Sequence, residues 1–152
     1  MAALSGSFRV CSGLACSLLL YIAGNIRSRD EQGCKMKIMV VDDDKAFLRS
    51  LEILLTGAGH EVMAFSSPVK AVSAVESMDH VDILILDYCL GEIDGCVLLE
   101  TIKSLSLSIG AVIMISAHTD ILEKFDLADL GFDYFISKPI VFDELKSLID
   151  VL

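Results

Sequence analysis

Positive charge is scarce in this chain: 12 lysines and arginines stand against 22 aspartates and glutamates, a formal net charge of -10. A protein this acidic is unsuited to coating a phosphate backbone, so no direct nucleic-acid binding is expected. Also lacking is a CxxC pair or a histidine cluster near the five cysteines, Cys11, Cys16, Cys34, Cys89 and Cys96. Neither a disulfide framework nor a zinc site is indicated, and a reducing cytoplasmic setting is expected. Repeats and low-complexity segments are missing too. The apolar run from Val10 to Ala23 falls short of the ~20 residues that a membrane span needs, and Ser12, Gly13 and Ser17 interrupt it.

What remains is 152 residues, 54% of them hydrophobic. That is enough for one core and too apolar for a disordered chain. The acid is unevenly spread. Residues 1–35 carry Arg9, Arg27, Arg29 and Lys35 against Asp30 and Glu31, a net of +2, which leaves -12 for residues 36–152. An acidic body suits a protein that gathers a divalent cation and meets a basic partner surface, although most of these charges are accounted for as a solvated face.

The first 35 residues read as a separate leader. A membrane anchor, a secretory signal and a translation start at Met36 compete for it. The basic region before Val10 is only Arg9, and no small-x-small cleavage site follows, which weakens the signal reading. Met36-Lys37-Ile38-Met39-Val40-Val41 opens as a strand, as the first element of a domain would. A start at Met36 is therefore expected ahead of a short membrane or interface anchor, with the domain proper spanning 36–152.

Beyond Lys37, β-branched and apolar runs at Ile38–Val41, Val62–Phe65, Val81–Leu86, Ala111–Ile115 and Tyr134–Ser137 read as strands. Most show no polar alternation, the pattern of strands buried on both faces. Between them lie helical patterns. Phe47, Leu51, Leu54, Leu55 and Ala58 fall on one helix face closed by Gly57 and Gly59. Further helices are expected over Pro68–Met78 with Ser67 as cap, Cys96–Ser104 after Gly95, Ile121–Leu130 after Thr119 and Asp120, and Phe142–Leu152. Alternating strands and helices make an α/β domain, because parallel strands need helical crossovers.

Acid sits at the ends of two buried strands, in Val41-Asp42-Asp43-Asp44 and Leu86-Asp87. In an open parallel sheet of order 2-1-3-4-5, strands one and three are neighbours and ligands bind beyond their carboxyl ends. That order gathers Asp42, Asp43 and Asp87, whereas Asp44 reads as the cap of the first helix. Clustered carboxylates repel unless a cation joins them, and magnesium, which takes few direct carboxylates, suits so small a group. The same edge receives Ser116 from the fourth strand and Lys138 from the fifth. A carboxylate nucleophile attacking phosphorus needs surroundings that absorb charge on the transferring oxygens, and a hydroxyl, an ammonium and a metal are suitable donors.

Val40-Val41-Asp42-Asp43, Asp82 to Asp87 with Asp94-Gly95 downstream, Ser116-Ala117 and Lys138-Pro139 together resemble the receiver domain of two-component response regulators, over Met36 to Leu152. The resemblance implies a flavodoxin-like, doubly wound sheet and Asp87 as the phosphoacceptor. It implies Mg²⁺ held by Asp43 directly, by Asp42 mainly through water, by Asp87 and by the backbone carbonyl of Cys89. Ser116 is then the switch hydroxyl, Lys138 the partner of the phosphoryl group and Phe135 the aromatic switch, and the Lys138–Pro139 bond is usually cis. The implied partners are a sensor histidine kinase or histidine phosphotransfer protein upstream and a protein target downstream.

Departures from the family pattern are few. Leu90-Gly91 stands where many members have proline, which implies a freer loop, and Phe135 lacks the hydroxyl of a tyrosine. Cys89 and His118, two places beyond Asp87 and Ser116, are expected to flank the phosphoryl group and bear on its lifetime. The readout surface is expected on the fourth helix, fifth strand and fifth helix, with Phe135, Ile136, Val141 and Phe142 as apolar contacts. Because the chain stops at Asp150-Val151-Leu152, a carrier or protein-binding switch is expected, with no catalysis beyond its own phosphorylation and dephosphorylation. Two alternatives stay open. One is a receiver-like interaction module that is never phosphorylated. The other is a magnesium-dependent phosphohydrolase, which would commonly carry a second aspartate where Cys89 stands.

Overall fold

Ile38 and Val40 point to one side of strand β1 (Lys37–Val41), and Met39 and Val41 to the other. The same alternation runs through β3 (His80–Asp87) and β4 (Ser108–Ser116), because successive side chains of a strand face opposite ways. Ile83, Ile85, Ile113 and Ile115 join the first side, and Leu84, Leu86, Val112 and Met114 the second. With no polar residue alternating among them, both faces must be covered. The structure, a computed structural model, describes residues 34–91 and 93–152.

Two half-cores result. Helices α1 (Lys45–Gly57) and α5 (Phe142–Val151) cover the first face with Leu48, Leu51, Leu55, Leu145, Leu148 and Ile149. Helices α2 (Pro68–Val75) and α3 (Gly95–Ser104) cover the second with Ala71, Val75, Leu98, Leu99 and Ile102. Strands β2 (Glu61–Phe65) and β5 (Tyr134–Ser137) complete the sheet, whose order is β2-β1-β3-β4-β5 with every pairing parallel. This is the doubly wound architecture and strand order expected from the sequence. The apolar run Val10–Ala23 of the expected leader lies outside the described residues. Among the described residues no helix is long and apolar enough to cross a membrane.

Three local readings are corrected. The inward face of α1 runs through Leu48, Leu51 and Leu55, while Leu54 and Ala58, expected on it, are exposed. Spacings of three, four and seven serve either face, and only contact with the sheet selects one. The helix expected over Ile121–Leu130 is a single turn, α4 (Ile121–Lys124). Phe125 turns to extended backbone (φ -134°, ψ 144°), and the Asp126 carboxylate accepts the Ala128 N–H at 2.9 Å. An aspartate offering its own backbone a turn competes with helix continuation, and here it wins. At Ser67 no side-chain cap bond forms, so Pro68 in the first turn supplies the start signal for α2.

Candidate functional site

The alternation that builds the core also aims the site. Asp87 has the parity of Ile83 and Ile85, and Asp42 that of Ile38 and Val40, so both carboxylates lean to the α1/α5 side of the sheet edge. The Asp42 N–H donates to the Phe65 carbonyl at 3.2 Å, which extends the β1 ladder to the functional residue. Asp44 does what its position suggests: its carboxylate accepts from Ala46 N at 2.9 Å and Phe47 N at 3.1 Å and caps α1.

Asp42 and Asp87 are 1% and 5% exposed, and Asp43 is exposed. One oxygen from each lies within 4.8 Å of the other two. Lys138 enters from the loop after β5, with Nζ 2.7 Å from Asp87 Oδ2 and 2.7 Å from Asp42 Oδ2. The two contacts differ in kind. Lys138 donates a hydrogen bond to Asp87, but its approach to Asp42 Oδ2 is off the hydrogen-bonding direction, and that buried oxygen has no hydrogen-bond partner. The other Asp42 oxygen accepts the Asp44 N–H at 2.9 Å, and Asp87 Oδ1 accepts the Cys89 N–H at 3.3 Å.

The charges are strained accordingly. Burial lifts the Asp42 carboxyl above the ordinary carboxylate range, and Asp87 adds to this, with Lys138 only partly compensating. For Lys138, burial pulls down, but hydrogen-bonding distance to Asp42 and Asp87 outweighs it and leaves the ammonium above the usual lysine value. A divalent cation fits this donor set. Three carboxylates within reach of one point, one of them presenting a buried oxygen without a directed donor, are hard ligands of the kind magnesium takes.

Ser116 is fully buried at the end of β4, where it pairs with Ser137, and its Oγ accepts the His118 N–H at 2.9 Å. The Lys138–Pro139 peptide is cis, as the resemblance implied. Cys89 is exposed, and burial of its sulfur, followed by the charges of Asp87 and Asp43, raises its thiol. The loop expected to be freer is tied at its ends: Cys89 bridges Asp94, and Leu90 N–H donates to the Ile93 carbonyl at 3.2 Å. Gly91 takes φ +77°, a left-handed conformation that proline cannot adopt.

Phe135 and Ile136 are both 3% exposed, on opposite faces of β5. They are core and not surface contacts, because helices flank the sheet on both sides; of the apolar residues expected on the readout surface, Val141 is exposed and Phe142 half-buried. Two roles at the site went unread in the sequence, although Gly95 stands in the motif and Phe47 on the helix face. Gly95 sits against the backbone of Asp87, where a β-carbon would meet the Asp87 carbonyl oxygen at 2.5 Å. Phe47, read as part of a helix face, lies with its ring centroid 4.9 Å from Lys138 Nζ.

A doubly wound sheet with an acidic cluster, a hydroxyl and a lysine at its carboxyl edge defines a class of phosphoryl-handling α/β domain. Within that class the chain belongs to the response regulator receiver domain family, whose model matches residues 38–150. It is similar to the transcriptional regulatory protein KdpE of Mycobacterium tuberculosis, 33% identical over 72% of this chain and 47% of that protein. It is also similar to the two-component response regulator ARR12 of Arabidopsis thaliana, 30% identical over 82% of this chain and 21% of that protein. The chain thus spans half or less of the length of these relatives. Among solved structures, a receiver domain protein from Clostridium thermocellum aligns with a TM-score of 0.66 and 25% identity, over 76% of this chain and 91% of that one. Chemotaxis protein CheY4 of Vibrio cholerae, at 21% identity, shares the fold with a TM-score of 0.67 over 78% of this chain and 100% of that one. Residues 38–150 are therefore a receiver domain of the two-component response regulator family.

Proposed function

We propose that Asp87 accepts a phosphoryl group from a phosphohistidine on a sensor histidine kinase or histidine phosphotransfer protein, and that the change at its neighbours alters binding of a downstream protein. The observation that carries this reading is the bridging of Asp42 and Asp87 by the Lys138 ammonium, 2.7 Å from each. A merely structural aspartate gains nothing from a second buried carboxylate beside it. The cytoplasm, where ATP-dependent kinases act, is the compartment this reading expects.

An Asp87 carboxylate oxygen attacks phosphorus in line. The new O–P bond forms as the P–N bond to the donor imidazole breaks, and the electron pair leaves with the nitrogen. Lys138 exchanges its bond to Asp87 Oδ2 for one to the transferred oxygens. Ser116 Oγ already accepts the His118 N–H, so its own proton is available for a phosphoryl oxygen. Asp42, Asp43, Asp87 and the Cys89 carbonyl would hold Mg²⁺, which when bound neutralises the carboxylates and draws charge from the transferring oxygens. Phe135 starts from a packed position, so any rearrangement it undergoes begins inside the core.

Incubation of the protein with Mg²⁺ and acetyl phosphate tests the reading. The expected product is one acid-stable, base-labile phosphoryl adduct per chain, absent in Asp87→Ala. No adduct on the wild type would leave a non-phosphorylated interaction module, and repeated turnover of added phosphoesters would indicate a hydrolase.

A further inference from the structure

We infer that Phe47 is a positioning residue for Lys138, and that Asp44 sets it in place: the aromatic ring holds the ammonium at the carboxylates before any phosphoryl group arrives. The inference rests on reading Asp87 as the phosphoacceptor and concerns how its cationic partner is kept ready.

The Lys138 side chain has one directed hydrogen bond, to Asp87 Oδ2, because its contact with Asp42 Oδ2 is close but misaligned. A four-carbon stem held at its tip by one directed hydrogen bond and one close charge contact still has rotamers along its length, at an entropic cost if they are to be frozen. The Phe47 ring supplies a further hold. Its centroid lies 4.9 Å from Nζ, inside the ~6 Å over which a ring face attracts a cation. The ammonium is thus enclosed by two carboxylates and an aromatic face, with 22% of the side chain open to solvent.

The ring's place follows from the acidic triplet. Asp42 Oδ1 accepts the Asp44 N–H at 2.9 Å, and Asp44 Oδ1 accepts the Phe47 N–H at 3.1 Å. Two consecutive side-chain-to-backbone bonds therefore tie the first turn of α1 to the buried carboxylate that faces Lys138. Phe47 is half-buried and packs at the border of the α1/α5 half-core, so its ring has support behind it. The third aspartate of the run, outside the metal-binding cluster, gains a part in the site through the helix it caps.

Two full-length variants separate the ring face from mere bulk. Phe47→Leu keeps an apolar side chain and removes the π system, whereas Phe47→Tyr keeps the ring. In protein labelled at lysine, the Lys138 ε-methylene protons are expected upfield of exposed lysines through the ring current, in the wild type and in Phe47→Tyr but not in Phe47→Leu. Phosphorylation by acetyl phosphate is expected to slow by about three- to tenfold in Phe47→Leu, the range a partly desolvated cation–π contact implies, and to recover in Phe47→Tyr. A wild-type Lys138 resonance at the exposed position, an unchanged rate in Phe47→Leu, or equal slowing in both variants overturns the inference. If the wild type accepts no phosphoryl group, the phosphoacceptor reading fails on its own, and the resonance still decides the contact.

Discussion

The main-chain carbonyl of Asp87 and the α-carbon of Gly95 are in such close apposition that a β-carbon on Gly95 would stand 2.5 Å from the Asp87 oxygen and 3.3 Å from the Tyr88 α-carbon. The Gly95 N–H donates to the Tyr88 carbonyl at 2.8 Å across the same approach. Backbone on both sides cannot yield as a side-chain tip would. Gly95→Ala is expected to cost about 1–3 kcal/mol, the usual range for overpacking a tight site. It should also slow adduct formation at Asp87, because the strand end must shift. Urea denaturation checks the first effect, and an unchanged midpoint would contradict the close approach.

Asp42 carries a carboxyl that burial holds above its ordinary value. For an acid whose folded pKa exceeds its unfolded one, the native state binds more protons between the two values, so stability falls as pH rises through that window. Without Mg²⁺, Asp42→Asn should therefore be more stable than the wild type at neutral pH. The difference should shrink as pH drops from the raised folded value to the ordinary carboxylate value of 3.8, below which the group is protonated in both folded and unfolded states and its penalty is gone. A gap that widens on acidification would show that the carboxylate is stabilising where it stands.

Cation binding to the folded state alone raises stability by mass action, by about 2.7 kcal/mol when Mg²⁺ is present at a hundred times its dissociation constant. The wild type should show this increment in thermal melts, and chelation should abolish it. Asp43→Asn, altering the exposed member of the cluster, should remove most of the response while leaving the metal-free melting point close to wild type. A full increment in that variant would place the cation elsewhere.

Cys89 offers a probe of the same charges. The residue is exposed, yet partial desolvation of its sulfur, and then Asp87 and Asp43, hold the thiol above the ordinary cysteine value. Since the thiolate is the reactive form, alkylation of Cys89 should be slow without metal and faster once Mg²⁺ neutralises those carboxylates. Mass spectrometry of iodoacetamide-treated protein with and without Mg²⁺ reads this directly. Rates that fall on adding Mg²⁺ would mean that shielding outweighs charge.

Most of the architecture was legible because its signal is local. Continuous apolar strands ending in aspartate announce a buried parallel sheet with a site at its edge, and the Asp42, Asp87, Ser116 and Lys138 constellation needs only strand order to assemble. What escaped depended on distant contacts. The start of β4 at Ser108, ahead of the expected Ala111, carries little apolar signal, and Gly110 there lets the backbone approach Asp82. The early end of α4 turns on one aspartate side chain, and the inward face of α1 on which of two adjacent leucines meets the sheet. Gly95 and Phe47 matter through neighbours that no window of sequence contains.

The Lys138 N–H donates to the Ser116 carbonyl at 2.8 Å, and the Tyr88 N–H to the Ile115 carbonyl at 2.9 Å. Three strand tips are thereby stitched together by peptide groups one step from the reacting side chains. A tug on the serine is handed to the lysine's own backbone without waiting for a side chain to find it. On the proposed reading, drawing Ser116 towards a phosphoryl group on Asp87 would pull on the Lys138 peptide through this bond, so the tips of β4 and β5 would shift together.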